Sequence, residues 1–143
     1  MSKQIYVNLP VKDLKKSRRF FESMGYEFNP KFTNEKAGCL ILGENHFVML
    51  LTESMFSDFT KKPISDATKT TEVIIALDCE SREEVDAIVG KAVAAGATIY
   101  RDADDSGYMY SRSFADPDGH QWEYLWMDMA AFAQKGEPAA QQA

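Results

Sequence analysis

The sequence lacks the features that mark membrane, exported and nucleic-acid-binding proteins. No apolar run is long enough to cross a bilayer, and the opening stretch MSKQIYVNLP has no apolar core of signal-peptide length. Sixteen basic residues against 22 acidic ones give a net charge of −6, and no basic patch dominates. We therefore expect a cytoplasmic protein whose partners are neither membranes nor nucleic acids.

Reactive motifs are also scarce. The two cysteines, Cys39 and Cys79, each lie inside an apolar run, which predicts buried free thiols in a reducing compartment rather than a disulfide, a zinc site or a redox pair. No serine lies in a GxSxG context and no glycine-rich phosphate loop occurs, so nucleophilic hydrolysis and nucleotide binding have no support.

What the chain does contain is a repeated order of elements. Each half is predicted as strand, helix, strand, strand, strand. Asp13 is the expected N-cap of the first helix, and Ser81 with Glu84 forms a capping box at the start of the second. Gly25 and Gly96 follow the two helices as stop signals. The repeat indicates two modules of one kind, with strands near 4–10 and 71–78 in equivalent places.

This repeat predicts an α+β fold. We expect one domain over residues 1–129, with two βαβββ modules at about 1–53 and 71–129 that form a cup-shaped, eight-stranded mixed sheet with helices on its outer face. Residues 54–70 are predicted as a linker or mobile lid, and 130–143 as a C-terminal helix with a loose tail. A cup of this kind suits a small-molecule ligand.

The stretch FADPDGHQWEYLW, residues 114–126, carries the most information about a site. Asp116 to Gly119 is favourable turn sequence, and the residues after it alternate as a strand does. Trp122, Tyr124 and Trp126 share one face, which should pack against helices. Glu123 then points to the other face, either to water or into a cavity.

These motifs resemble the vicinal oxygen chelate superfamily, which includes glyoxalase I, bleomycin-resistance and fosfomycin-resistance proteins and extradiol dioxygenases. Besides FADPDGHQWEYLW, the matching pieces are VKDLKKSRRFFESMGYEF and AAGATIYRDA. The resemblance implies the fold, a homodimer, and a divalent metal held in the cup by the first and last strand of each module. The matching positions here are Tyr6, Leu50 (or Met49 if the register slips), Glu72 and Glu123. Only Glu123 has the family's usual residue type, so the implied ligand set is incomplete.

Strand alternation defines the candidate site. It places Tyr6, Asn8, Glu72, Gln121 and Glu123 on the cup face. Tyr6, Asn8, Glu72 and Gln121 are the candidate ligand-binding residues, Glu123 is the candidate catalytic residue, and Glu72 and Glu123 are the candidate metal ligands.

Three alternatives remain open around this site. The two acids could instead form structural ion pairs with a base such as Arg112. His46 and His120, each just after a turn, are expected as surface or hydrogen-bonding residues, and they enter the cup only if the register differs. The loop from Asp102 to Gly107 is expected as a solvated acidic loop rather than a calcium site, because the twelfth position of such a site lacks Glu.

Two functions from different classes follow. One is a lactoylglutathione-lyase-like or other lyase-type enzyme of this superfamily, with Glu123 as metal ligand or general base. The other is non-catalytic binding or sequestration of a small organic molecule, as in resistance-type members. The aromatic residues Phe56, Phe59 and Phe132 could cover a dimer interface or pack as a lid.

Overall fold

The computed structural model describes residues 3–134, and within them the predicted order of elements is present. The strands are β1 (Ile5–Val11), β2 (Glu27–Phe28), β3 (Ala37–Gly43), β4 (His46–Thr52), β5 (Ile74–Asp78), β6 (Asp104–Asp105), β7 (Met109–Ala115) and β8 (Gln121–Met127). The α-helices are α1 (Leu14–Ser23), α2 (Glu53–Ser57), α3 (Arg82–Ala94) and α4 (Met129–Gln134), and a 3-10 helix spans Pro30–Phe32. The loose tail predicted beyond α4 lies outside the described residues.

The two modules have the same strand order. One sheet runs β1-β4-β3-β2 and the other β5-β8-β7-β6. In each, the first strand pairs in parallel with the last strand of its own module, and the other pairs are antiparallel. The predicted α+β fold of two βαβββ modules is confirmed. The eight strands form two four-stranded sheets, and β1 and β5 are edge strands of these sheets. The two sheets are therefore not joined into one closed sheet.

Both modules contribute to one hydrophobic core. Helix α1 buries Phe20 and Phe21, and the Phe21 ring lies 5.1 Å from that of Trp122 in the other module. Trp122 and Tyr124 are buried on the same face of β8, and Trp126 packs against this core. The expected division of β8 into an aromatic core face and an opposite face is therefore present.

Local sequence accounts for where the two long helices begin and end. The Asp13 carboxylate accepts the Lys16 backbone N–H, and the Ser81 hydroxyl accepts that of Glu84, so each helix has an N-cap. After them Gly25 and Gly96 have φ of 100° and 110°, a conformation that favours glycine. None of the helices in the described part of the chain is long and apolar enough to span a membrane.

Strand β5 starts later than the sequence pattern predicts. It begins at Ile74, so Glu72 lies in the segment before the strand. Alternation therefore does not determine the direction of the Glu72 side chain, and its position depends on how that segment folds.

Cys39 and Cys79 are both buried free thiols, as expected.

Candidate functional site

A buried carboxylate organises the turn between β7 and β8. Asp116 is 5% exposed, and its two oxygens accept the indole Nε1–H of Trp122 and the backbone N–H groups of Asp118 and His120, each at 3.0 Å. Burial raises the pKa of the Asp116 carboxyl, while His120 and the Trp122 hydrogen bond oppose that rise. Asp116, the first residue of the turn, thus stabilises the turn through hydrogen bonds to its buried carboxylate.

The same turn joins the two modules. The Asp118 carboxylate accepts the Lys12 backbone N–H at 2.8 Å and the Ser17 hydroxyl at 3.0 Å. The Nε2 atom of His120 lies 2.7 Å from the carbonyl oxygen of Pro10. These contacts fix the start of β8 beside the end of β1, and both strand ends face the cavity described next.

A cavity of about 270 Å³ lies between these strand ends and the segment that links the modules. We call residues 58–73, between α2 and β5, the strap, and the cavity beneath it the strap pocket. Most of the wall is apolar, and its apolar side chains include Leu9, Pro10, Phe56, Pro63, Ile64 and Val73. At this wall β1 contributes the polar side chain of Asn8, β8 contributes that of Gln121, and the turn before β8 contributes that of His120. A concave apolar site with a few convergent polar groups is typical of small-molecule binding.

A turn within the strap packs against the turn between β7 and β8. The Asp66 carboxylate accepts the Thr68 backbone N–H at 2.9 Å and the Thr68 hydroxyl at 2.6 Å, which lowers the pKa of Asp66. The backbone of Ala67 and Thr68 then packs directly on Gly119, where a Cβ atom would lie 2.8 Å from the Ala67 carbonyl. The strap therefore needs glycine at position 119 to lie where it does.

Three of the five predicted site residues meet in the strap pocket. Asn8, Glu72 and Gln121 all line it. Neither the Asn8 nor the Gln121 side chain makes a hydrogen bond to any residue within 3–134. Their amide groups are consequently available to a bound molecule.

Tyr6 and Glu123 are not among the residues that line this pocket. The Tyr6 hydroxyl donates to the Gln4 side chain at 3.0 Å, and its ring stacks on Phe47 at 4.9 Å. Glu123 lies in the middle of β8, paired with Ala76 on one side and Ser113 on the other. Alternation directs it away from the core face that holds Trp122 and Tyr124.

Arg112 does not neutralise the two acids. Its guanidinium donates to Asp86 at 3.1 Å, and it pairs across the sheet with Tyr124, on the face opposite Glu123. Within residues 3–134, neither Glu72 nor Glu123 forms an ion pair. The alternative that Arg112 holds them in structural ion pairs is wrong, because Arg112 pairs with Asp86 and strand alternation places it on the face of the sheet opposite Glu123.

Of the positions matched to the family's metal ligands, the one on β4 holds an aliphatic or thioether side chain. Leu50 is fully buried in the core and pairs with Leu9, whereas Met49 pairs with Asn8 and so occupies the cup face. Neither residue type is a usual ligand for the hard or borderline divalent ions. No group of three His, Cys, Asp or Glu side chains in the described part of the chain could hold a metal ion.

His120 was expected from the sequence as a surface or hydrogen-bonding residue. The structure shows its hydrogen bond and also places it at the strap pocket. It is only 9% exposed, and it lines both the strap pocket and a neighbouring cavity of about 180 Å³. Its hydrogen bond to Pro10 joins residues that are 110 positions apart, so no local signal could reveal it. His46, the matching residue of the first module, is exposed.

The acidic loop near residue 105 has a structural role. The Arg82 guanidinium donates to both Asp105 oxygens, at 2.7 and 2.8 Å, and to the carbonyl of Gly107. It also lies over the rings of Tyr110 and Trp126. The loop is therefore held to α3 by an arginine.

Comparison with known proteins identifies the fold and the family. The model of the Glyoxalase/Bleomycin resistance protein/Dioxygenase superfamily matches residues 3–124. No curated protein matches the sequence.

Similar solved structures agree with that match. They include a hypothetical protein from S. aureus with 29% identity, 88% of this chain and 95% of that chain covered, and a TM-score of 0.74. A glyoxalase-related enzyme from Fulvimarina pelagi has 23% identity, 88% coverage of both chains and a TM-score of 0.73. A fosfomycin resistance protein from Listeria monocytogenes has 21% identity, coverage of 88% and 91%, and a TM-score of 0.64. The resemblance seen in the sequence is confirmed, and the chain belongs to the Glyoxalase/Bleomycin resistance protein/Dioxygenase superfamily.

Proposed function

We propose that this protein binds a small organic molecule in the strap pocket. The observation that carries the proposal is the convergence of Asn8 and Gln121, with unengaged amide groups, in a mostly apolar cavity roofed by the strap. An apolar wall stabilises the body of a ligand by removing it from water, and the few polar groups set its orientation.

Glu72 adds a negative charge at the rim of this pocket. It is exposed and forms no ion pair among residues 3–134. A carboxylate at such a place favours a ligand that carries N–H or O–H donors over an anionic ligand. Together with the two amides, it supports a ligand that has an apolar body and hydrogen-bonding groups at one end.

The lyase-type enzyme is the alternative function. It would require a bound metal, for which the matching position on β4, Leu50 or Met49, offers no usual ligand, and a general base that reaches the substrate. Glu123 could serve as that base only in a site that includes the middle of β8, beyond the strap pocket. Metal analysis of protein purified without chelator separates the two functions. One equivalent of nickel, zinc, iron or manganese would overturn the non-catalytic, binding-only function.

A cytoplasmic homodimer is part of the same proposal. Phe59 is 70% exposed and Phe56 lines the strap pocket, whereas the side chain of Phe132 lies outside the described residues. Of the three aromatic residues considered for an interface, Phe59 is therefore the one available on the described surface. Sedimentation at several concentrations tests the dimer, and a monomer mass throughout would exclude it.

Phe56 and Phe59 also provide a matched pair for testing the pocket. We expect Phe56→Ala to weaken binding of 2-naphthol, an aromatic probe of suitable size, by about tenfold, because the ligand loses one apolar wall. Phe59→Ala removes the same side chain outside the pocket and should leave the affinity unchanged. Binding can be measured by titration calorimetry, and equal affinity in both variants would show that the probe does not occupy the strap pocket.

A further inference from the structure

We propose that His120 is the hydrogen-bonding residue that selects ligands in the strap pocket, and that it selects molecules carrying a hydroxyl group. This proposal rests on the proposed function, because it concerns the same cavity. It adds a residue and a ligand class that neither the sequence motifs nor the family match assigns.

The first step is the protonation of the imidazole ring. Nε2 lies 2.7 Å from the carbonyl oxygen of Pro10. A carbonyl oxygen can only accept, so Nε2 must carry the hydrogen. In the neutral ring the other nitrogen, Nδ1, is then unprotonated and acts as an acceptor.

The second step is the availability of Nδ1. Within residues 3–134, Nδ1 of His120 makes no hydrogen bond. The residue is 9% exposed, lines both the strap pocket and the smaller cavity beside it, and is held in place through Nε2 and through the backbone N–H that donates to Asp116. Among the described residues Nδ1 is not one of the fully buried atoms without a partner, so it is accessible from these cavities. A fixed acceptor in a largely apolar wall gains most from a ligand that donates a hydrogen bond.

The third step is the charge around the ring. Asp116 lies in the same turn, Glu72 lines the same pocket, and Lys62 is the cation of the strap at this wall. On the side of the smaller cavity the charged groups are Lys12, Glu53, Asp66 and Asp118. The strap pocket itself is lined by one acid and one base, and the smaller cavity by three acids and one base. A ligand carboxylate therefore gains no net attraction from these charges, and it would also meet the Nδ1 lone pair. A neutral hydroxyl meets neither difficulty.

Three aromatic probes of similar shape test the ligand class. 2-Naphthol can donate to Nδ1, 2-methoxynaphthalene has no donor, and 2-naphthoate is an anion. We expect 2-naphthol to bind about fivefold to tenfold more tightly than the methyl ether, the ratio that corresponds to one hydrogen bond, and 2-naphthoate to bind most weakly. Equal binding of the alcohol and the ether would overturn the role of His120 while leaving the pocket function intact. If none of the three binds, the proposed function itself fails, and the His120 role fails with it.

Two substitutions at His120 separate ligand selection from structural support. Gln places its amide near the Nε2 position, so His120→Gln keeps a donor for Pro10 but loses the acceptor. Asn places its amide near the Nδ1 position, so His120→Asn keeps an acceptor toward the pocket but loses the Pro10 contact. We expect the preference for naphthol over its ether to disappear in His120→Gln and to remain in His120→Asn, whatever the stability of each. The opposite pattern, or a preference that persists in both, would overturn the proposal.

The ring protonation can be measured without any ligand. The chain has only two histidines, His46 and His120, so nitrogen-15 NMR of the imidazole groups gives two assignable patterns, with exposed His46 as the internal reference. We expect neutral His120 to carry its hydrogen on Nε2. A hydrogen on Nδ1 would refute the proposal even if all three probes bind.

Discussion

Replacing Gly119 by alanine should release the strap, because the strap backbone occupies the space that a Cβ atom would need. An added Cβ would lie 2.8 Å from the carbonyl carbon and oxygen of Ala67 and 2.9 Å from the nitrogen of Thr68. These are backbone atoms, so no side-chain rotation relieves the overlap. Gly119 also has φ of 92°, which L-residues rarely adopt.

Gly107 provides a control that has the same backbone strain as Gly119 but no steric overlap with neighbouring backbone atoms. Its φ is also 92°, but nothing lies within 4 Å of its Cβ position. Gly107→Ala should therefore lower the free energy of unfolding by about 1–2 kcal/mol, the usual strain of a left-handed backbone with a side chain. Gly119→Ala should lose the same amount plus about 1–3 kcal/mol for the overlap, unless the strap moves away.

Urea denaturation and ligand binding together show how the overlap is relieved. If the strap stays in place, the extra loss appears in the unfolding midpoint. If the strap moves, the extra loss of unfolding free energy is smaller. In that case 2-naphthol should bind more weakly to Gly119→Ala than to Gly107→Ala, and proteases should cleave within residues 58–73 in Gly119→Ala alone. Equal stability, binding and proteolysis in the two variants would refute the packing of the strap on Gly119.

Two further predictions concern ionisable groups. The Arg82 hydrogen bonds lower the pKa of Asp105 to about 2, so its contribution to stability is complete above the unfolded pKa of roughly 4 and is lost as pH falls through about 2. The stability difference between wild type and Asp105→Asn should shrink over that window in urea titrations, and a difference that stays constant would contradict the pairing. Burial raises the pKa of the Cys79 thiol to about 11. In a Cys39→Ala background, Cys79 of the native protein at about pH 8 should therefore react with iodoacetamide far more slowly than Cys79 of the unfolded protein. Equal reaction rates would exclude a buried thiol.

The elements that sequence predicts well are those specified by near neighbours. The N-caps at Asp13 and Ser81 depend on residues three positions away, and the alternation in β8 separates Trp122 and Tyr124 from Glu123 within a single strand. Such periodic and capping signals are local, so they need no knowledge of the tertiary fold. This is why the order of elements and the core face of β8 are present as predicted.

The site was harder to predict because its contacts join distant parts of the chain. Alternation could not place Glu72, since β5 begins only at Ile74. Nor could it show that Tyr6 would stack on Phe47 of the adjacent strand. Of the predicted group, Asn8, Glu72 and Gln121 share the strap pocket, whereas Tyr6 and Glu123 are not among its lining residues.

The strap pocket lies where the two modules cease to match. His46 and His120 hold equivalent positions in the repeat, each at or just before the start of the last strand of its module. His46 is exposed, whereas His120 lies beside Pro10 of the other module and borders the cavity beneath the strap. The difference between them comes from the strap and from the hydrogen bonds between the end of β1 and the β7–β8 turn, neither of which the repeat itself encodes. A duplicated fold supplies two similar strand ends, and the unrepeated segment 58–73 covers the one that His120 precedes.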